Sequence, residues 1–285
     1  MLQPRKNSAT VILLLILFIF IFFISQAALQ KGEEPPPVPQ GGDLAVIGGS
    51  TAAFIAALEA AGAGAQVFIF PNGGEILEDT SYLVSEGLAA SSTPVQDEQD
   101  IVLSSENLQE ILQEKGKGVA DPQLLEAFAR QADDLYDLAR HYGGVEFDSL
   151  PDTVRNPYFH LSTAADAGEK FKGQLLDRAE KAGVVLRSEK VQRIQIFPNG
   201  VNERVQSLLL ENNEGELFNF YVQGVILADG GYSGDVHRLH GYLPQDNLVA
   251  LRPEQKGEGL QLALQLNADF VQTDFLKKKI CNCSA

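Results

Sequence analysis

Residues Asp43 to Phe70 read DLAVIGGSTAAFIAALEAAGAGAQVFIF. An apolar strand, Leu44 to Ile47, runs into paired glycines. A helix of small residues follows, then a second apolar strand, Val67 to Phe70. Strand, glycine turn, helix and strand in that order form a βαβ unit of the kind that holds a nucleotide at its turn. Each glycine of a G-x-G-x-x-G turn has a separate task. The first permits the tight turn, the second lets a diphosphate approach the backbone, and the third lets helix and strand pack closely. Gly48 meets the first demand. Ser50 stands at the second and Ala53 at the third, and Pro71 closes the second strand where an acidic residue would hold a ribose. The Ser50 hydroxyl is a possible donor to a phosphate, and the helix N-terminus offers N–H groups to an anion. Simple βαβ packing explains the same residues equally well.

The rest of the chain sets the frame around this unit. It has 285 residues, 45% of them hydrophobic, and a net charge of -16. That length suits one large domain or two small ones. The acidity would repel a phosphate backbone, which argues against nucleic acid as a partner. Arg5 and Lys6 precede an uncharged run, Val11 to Ile24, and then Ser25-Gln26-Ala27. A basic flank, an apolar stretch and a small-x-small site describe a secretory signal. Ala9 to Leu29 is also long enough for a single membrane anchor. Either way the body is expected on the non-cytoplasmic side, with residues 1–29 as signal peptide or anchor. Residues 30–42 are rich in Pro, Glu and Gly and read as a linker. Cys281 and Cys283 lie one residue apart in the tail, 276–285, and a disulfide between them would be strained. The four histidines form no spaced metal motif, so no metal is expected.

Asp121 to Gly143 has helical periodicity, with Leu124, Leu125, Phe128, Ala132, Leu135, Leu138 and Ala139 on one stripe. Asp121 is placed to cap it and Pro122 to start it. Gly173 to Gly183 reads as a second amphipathic helix. Two strands, a Pro-Asn-Gly turn, a hairpin turning at Asn212 to Gly215, and a third apolar strand at Gly224 to Ala228 come next. A last helix follows Gly257. Alternating strands and helices with an inserted meander predict an α/β, Rossmann-like domain over 43–275, with a parallel sheet and a small antiparallel subsheet.

Further motifs come in order: NGGEILEDTSYLVSEGLAA, DPQLLEAFARQADDLYDLARHYGGVEFDS, VILADGGYSGD and KGEGLQLALQLNADF. With the βαβ unit, this succession resembles the FAD-binding half of the fumarate reductase/succinate dehydrogenase flavoprotein family. That family includes soluble fumarate reductases, L-aspartate oxidases and ketosteroid dehydrogenases. The resemblance implies that Gly48, Gly49, Ser50 and Ala52 line an FAD diphosphate. It puts Pro71 at the ribose, Gly74 and Gly87 by the ribityl chain and flavin ring, and Val191 at adenine through its backbone. Ala228, Asp229 and Gly230 stand for an Ala-Thr-Gly beside the cofactor, and Glu258 replaces an Asp in a Gly-Asp-Gly turn. Asp229 would bring a negative charge near the diphosphate unless it faces away or is neutralised. No histidine lies between Thr80 and Ser85, so the FAD would be non-covalent, and the altered positions imply that it is held weakly or lost. The family's capping domain and second flavin segment have no counterpart after Phe275.

Two functions follow from the resemblance. One is an FAD-dependent oxidoreductase, or its FAD-binding portion, acting on a small-molecule substrate. The other is a non-catalytic relic or interaction protein that keeps the scaffold. No catalytic residue is nominated. His160 and Arg155 are of suitable type, and surface positions would explain them as well.

Overall fold

The computed structural model describes residues 41–73, 76–81, 87–141, 143–148, 150, 157–162, 164–197, 204–242 and 255–269. The leader, Gly74, Arg155 and the cysteine tail lie outside them. The chain divides into two units, Met1–Gln40 and Gly41–Ala285, and all described elements belong to the second.

Four short parallel strands form the central sheet: β1 (Leu44–Ile47), β2 (Val67–Phe70), β5 (Val185–Leu186) and β9 (Gly224–Leu227), in the order β5-β2-β1-β9. β1 pairs in parallel with β2 on one side and with β9 on the other, Leu44 facing Val67 and Gly224. A meander of β6 (Lys190–Phe197), β7 (Arg204–Glu211) and β8 (Leu217–Tyr221) makes a separate three-stranded antiparallel sheet. A third pairing, absent from the sequence reading, joins β3 (Leu88–Ala89) to β4 (Phe159–His160).

Alternation along β1 and β2 sends side chains into two cores, as the pleat requires. Val46, Val67 and Ile69 pack with Phe54 and Ala57 of α1 (Thr51–Gly62) and with Phe171 and Leu175 of α5 (Ala167–Lys181). Ala45, Ile47, Phe68 and Phe70 pack with Val191, Leu208, Leu210 and Phe220 of the meander. The order of layers is helices, parallel sheet, meander. This covers both faces of the parallel sheet, which its apolar strands demand. Phe220 meets the Phe68 and Phe70 rings edge-on, with centroids 4.8 and 5.5 Å away.

After the short α2 (Pro94–Asp97), a third core joins Leu108 of α3 (Ser105–Lys115) to Ala129 and Ala132 of α4 (Pro122–His141). Asp121 caps α4 through its Oδ1, which accepts from the Gln123 N–H at 2.8 Å. The buried face of α4 differs from the expected stripe. Ala132 and Ala139 of that stripe are buried, but Leu124 and Phe128 are 70% and 47% exposed, and Ala129 and Tyr136 are buried in their place. Small alanines let the helix axis come close to its neighbours, so the core-facing stripe turns toward them and the larger residues point outward. Two short helices complete the domain, α6 (Val236–Tyr242) and α7 (Glu258–Gln265).

Candidate functional site at the carboxyl edge of the parallel sheet

β1 and β9 run in parallel and in register, so their carboxyl ends emerge together. The turn after β1 and the turn after β9 therefore share one edge, where open α/β sheets bind ligands. They also touch. Gly48 has φ of 131°, and a Cβ there would sit 2.1 Å from the Ala228 carbonyl oxygen. No side chain fits, so glycine is required by the neighbouring strand as well as by the turn. The Gly48 N–H donates to the Phe70 carbonyl at 2.8 Å, and the Ala228 N–H donates to the Ile47 carbonyl at 2.7 Å.

Ser50 is the N-cap of α1. Its Oγ accepts from the Ala53 N–H at 3.3 Å and donates to the Ala228 carbonyl at 2.7 Å. As folded, the hydroxyl proton is given to the Ala228 carbonyl just past β9. Ser50 is a strut between two turns. Ala53 is fully buried and meets the packing demand of the third glycine, and Ala52 is exposed at the first turn of the helix.

The N-terminus of α1 already holds a carboxylate. The Thr51 N–H lies 3.0 and 2.9 Å from the two Asp79 carboxylate oxygens, and the Thr51 hydroxyl donates to Asp79 Oδ1 at 2.9 Å. Asp79 belongs to a 3-10 turn, Glu78–Ser81, folded over the glycine turn. Leu77, just before it, donates its N–H to the Gly49 carbonyl at 2.7 Å and buries its side chain in the helical core. Lys172 of α5 pairs with Glu78 at 2.7 Å on the outside of the same turn.

Two more backbone donors are taken by side chains. Pro71 ends β2, and the next residue, Asn72, is buried with φ of 57°. Its Oδ1 accepts from the buried Val191 N–H at 2.8 Å. Asp229 Oδ2 accepts from the Gly259 N–H in the first turn of α7 at 2.6 Å. A Cβ at Gly259 would lie 2.3 Å from Asp229 Oδ1. Asp229 therefore turns its charge onto a helix N-terminus, where the dipole favours it. Burial still pushes its carboxyl above the usual range. The Gly259 N–H and its own backbone N–H oppose that shift, and the nearby Glu258 carboxylate adds to it. Gly230 has φ of 85° and abuts Gln255. Glu258 is the first residue of α7, behind Asp229.

Gly87 packs against the β3–β4 pairing. Its φ is 80°, and a Cβ would lie 2.7 Å from the His160 carbonyl oxygen, so it serves the β3–β4 pairing. His160 is fully buried, which corrects the surface expectation. Its Nε2 lies 2.7 Å from the Thr93 hydroxyl and its Nδ1 lies 3.0 Å from the Tyr158 carbonyl. A carbonyl can only accept, so Nδ1 carries the proton and Nε2 accepts from Thr93. Burial holds the imidazole pKa below its ordinary value, against the Tyr158 and Leu88 backbone contacts and the Asp133 charge, which raise it. Among the described residues no group of three His, Cys, Asp or Glu side chains is placed to hold a metal.

Sequence reasoning found the turns and missed Asp79 and Asn72. Their bonds span 28 and 119 residues, and no local pattern marks either one.

A family model described as "FAD binding domain" matches residues 43–278. No curated protein matches the chain in sequence. Among solved structures, 3-ketosteroid-Δ4-(5α)-dehydrogenase from Rhodococcus jostii RHA1 is similar, with a TM-score of 0.66 at 19% identity. The match covers 85% of this chain and 57% of that one. A flavocytochrome c3 fumarate reductase gives 0.66 at 21% identity, covering 85% of this chain and 43% of that one. The FrdA chain of E. coli quinol fumarate reductase gives 0.57 at 19%, covering 79% and 37%. The likeness is one of fold, and the chain spans 57% or less of the length of each of these three.

Proposed function

The chain belongs to the FAD binding domain family, and from that premise we propose that it is the cofactor-holding portion of a flavin-dependent oxidoreductase acting on a small molecule. FAD is the cofactor of this family. The observation that carries the proposal is the meeting of Gly48 with Ala228 at the carboxyl edge of the parallel sheet, beside the N-terminus of α1. When bound there, FAD supplies electron-pair transfer at its ring system.

The frame fits that cofactor, but three donors along the edge are already engaged. Gly48 lets the turn after β1 pack directly on Ala228, and Ser50 holds the two turns together. The N–H groups of Thr51, Val191 and Gly259, however, already serve Asp79, Asn72 and Asp229. Pro71 offers a ribose no carboxylate. These features support weak, non-covalent binding. They also favour the second reading, a non-catalytic protein that keeps the scaffold. The two diverge in the visible absorption spectrum of the purified chain and in its titration with FAD. A flavin spectrum in the purified chain, or saturable uptake of added FAD, supports the first reading. A colourless chain that takes up no FAD at millimolar concentration defeats it.

We further propose that the apolar run after Arg5 and Lys6 directs the chain to a membrane, with the body on the non-cytoplasmic side. The run lies outside the described residues, and among those no helix is long and apolar enough to cross a membrane.

A further inference from the structure

We propose that Asp79 is an internal competitor for the cofactor diphosphate: its carboxylate sits on the Thr51 N–H at the N-terminus of α1 and must leave before a diphosphate can take that place. The inference rests on the reading of this edge as an FAD site and goes beyond it to how the site is held shut.

Three observations converge on Asp79. Both its oxygens lie within 3.0 Å of the Thr51 N–H, and the Thr51 hydroxyl donates to Oδ1. A carboxylate that accepts from an N–H and an O–H at the positive end of a helix mimics, in charge and acceptor geometry, one phosphate of a dinucleotide. Next, the turn that carries Asp79 is fixed on both sides. Leu77 is hydrogen-bonded to the Gly49 carbonyl and buried, and Thr80 turns back to the Leu77 carbonyl through its N–H and its hydroxyl. The carboxylate is therefore delivered by ordered backbone. Finally, two neighbouring N–H groups of the same first turn are already engaged. The Ala53 N–H is used by Ser50 Oγ and the Phe54 N–H by the Ser50 carbonyl. A diphosphate that takes the Thr51 N–H has to displace Asp79, and one that binds elsewhere on this turn lies beside a like charge.

Asn72 on Val191 and Asp229 on Gly259 extend the pattern along the same edge. Asp79 is the member that carries the proposal, because it alone combines a negative charge with the helix that starts at the glycine turn.

The test uses the full-length chain and two variants. Asp79→Asn keeps the shape and removes the charge, and Asp79→Ala empties the place. Glu78→Gln, one residue away and facing Lys172, is the control for general electrostatics. Each form is titrated with FAD, with ADP and with riboflavin, and binding is read by flavin fluorescence or calorimetry. Both Asp79 variants should bind FAD and ADP roughly ten- to a hundredfold more tightly, the range expected when a charge-assisted hydrogen bond is freed for a ligand. Riboflavin, which lacks the diphosphate, should be unaffected, and Glu78→Gln should resemble the unmodified chain. Unchanged FAD and ADP affinity in both Asp79 variants overturns the proposal. So does equal tightening in Glu78→Gln, tight stoichiometric FAD in the unmodified chain, or absence of ADP binding in every form. If the Asp79 variants gain ADP but no form takes FAD, the competitor role stands and the FAD reading falls.

Discussion

His160 shows how far a single residue can be read before its surroundings are known. Its type fitted an acid-base role, yet the ring is sealed between Thr93 and the Tyr158 carbonyl with no exposed surface. Burial lowers its pKa, so the folded state binds a proton less readily than the unfolded chain. The sign follows from linkage. The neutral ring's contribution is fully present above the unfolded value, about 6.5, and is lost as pH falls through the window between that value and the depressed one. Urea denaturation at pH 7.5 and at steps below 6.5 should show stability falling by up to about 1.4 kcal/mol per pH unit. In His160→Gln this slope should vanish. The same slope in both proteins would assign it elsewhere. Gly48 presents the opposite case of legibility. Its positive φ and its lack of a side chain were both implied by the turn motif. What the motif could not disclose is that the atoms crowding it belong to Ala228, because that contact is made by a distant strand.

Among the elements, α1 and the three strands β1, β2 and β9 were readable because apolar runs bounded by glycine have few other uses. The face of α4 was not. Periodicity locates a stripe of apolar residues, but it ranks large ones above alanine, and packing distance reverses that order here. Leu124→Gln should therefore change stability by less than about 0.5 kcal/mol, as for other exposed sites. Ala132→Leu, at the buried face, should cost about 1–3 kcal/mol by overpacking. Thermal or urea unfolding of the two variants checks this, and a large loss in Leu124→Gln would place Leu124 in the core, as the expected stripe had it. The β3–β4 pairing escaped notice for another reason. Two residues per strand are too few to show alternation.

For the whole molecule, the parallel sheet and the antiparallel meander followed from the succession of elements, and the packing of the meander on one sheet face emerged only in the structure. The engaged donors of the cofactor edge were not legible either, because they depend on side-chain bonds between segments far apart in sequence. The leader is a separate matter of address. If residues 1–29 direct the chain to a membrane, the full-length protein should sediment with membranes or be exported, and a chain lacking Met1 to Ala28 should remain in the soluble fraction. Full-length protein found only among soluble cytosolic proteins would end that proposal. The sheet order also sets a schedule. β1 lies between β2, 23 residues onward, and β9, 180 residues onward, as the Leu44 partners Val67 and Gly224 show. At a synthesis rate of about 5–20 residues per second, β1 waits roughly ten to forty seconds for its second neighbour. Throughout that interval the nascent chain carries an apolar strand with one edge unpaired, open to any extended segment that meets it first.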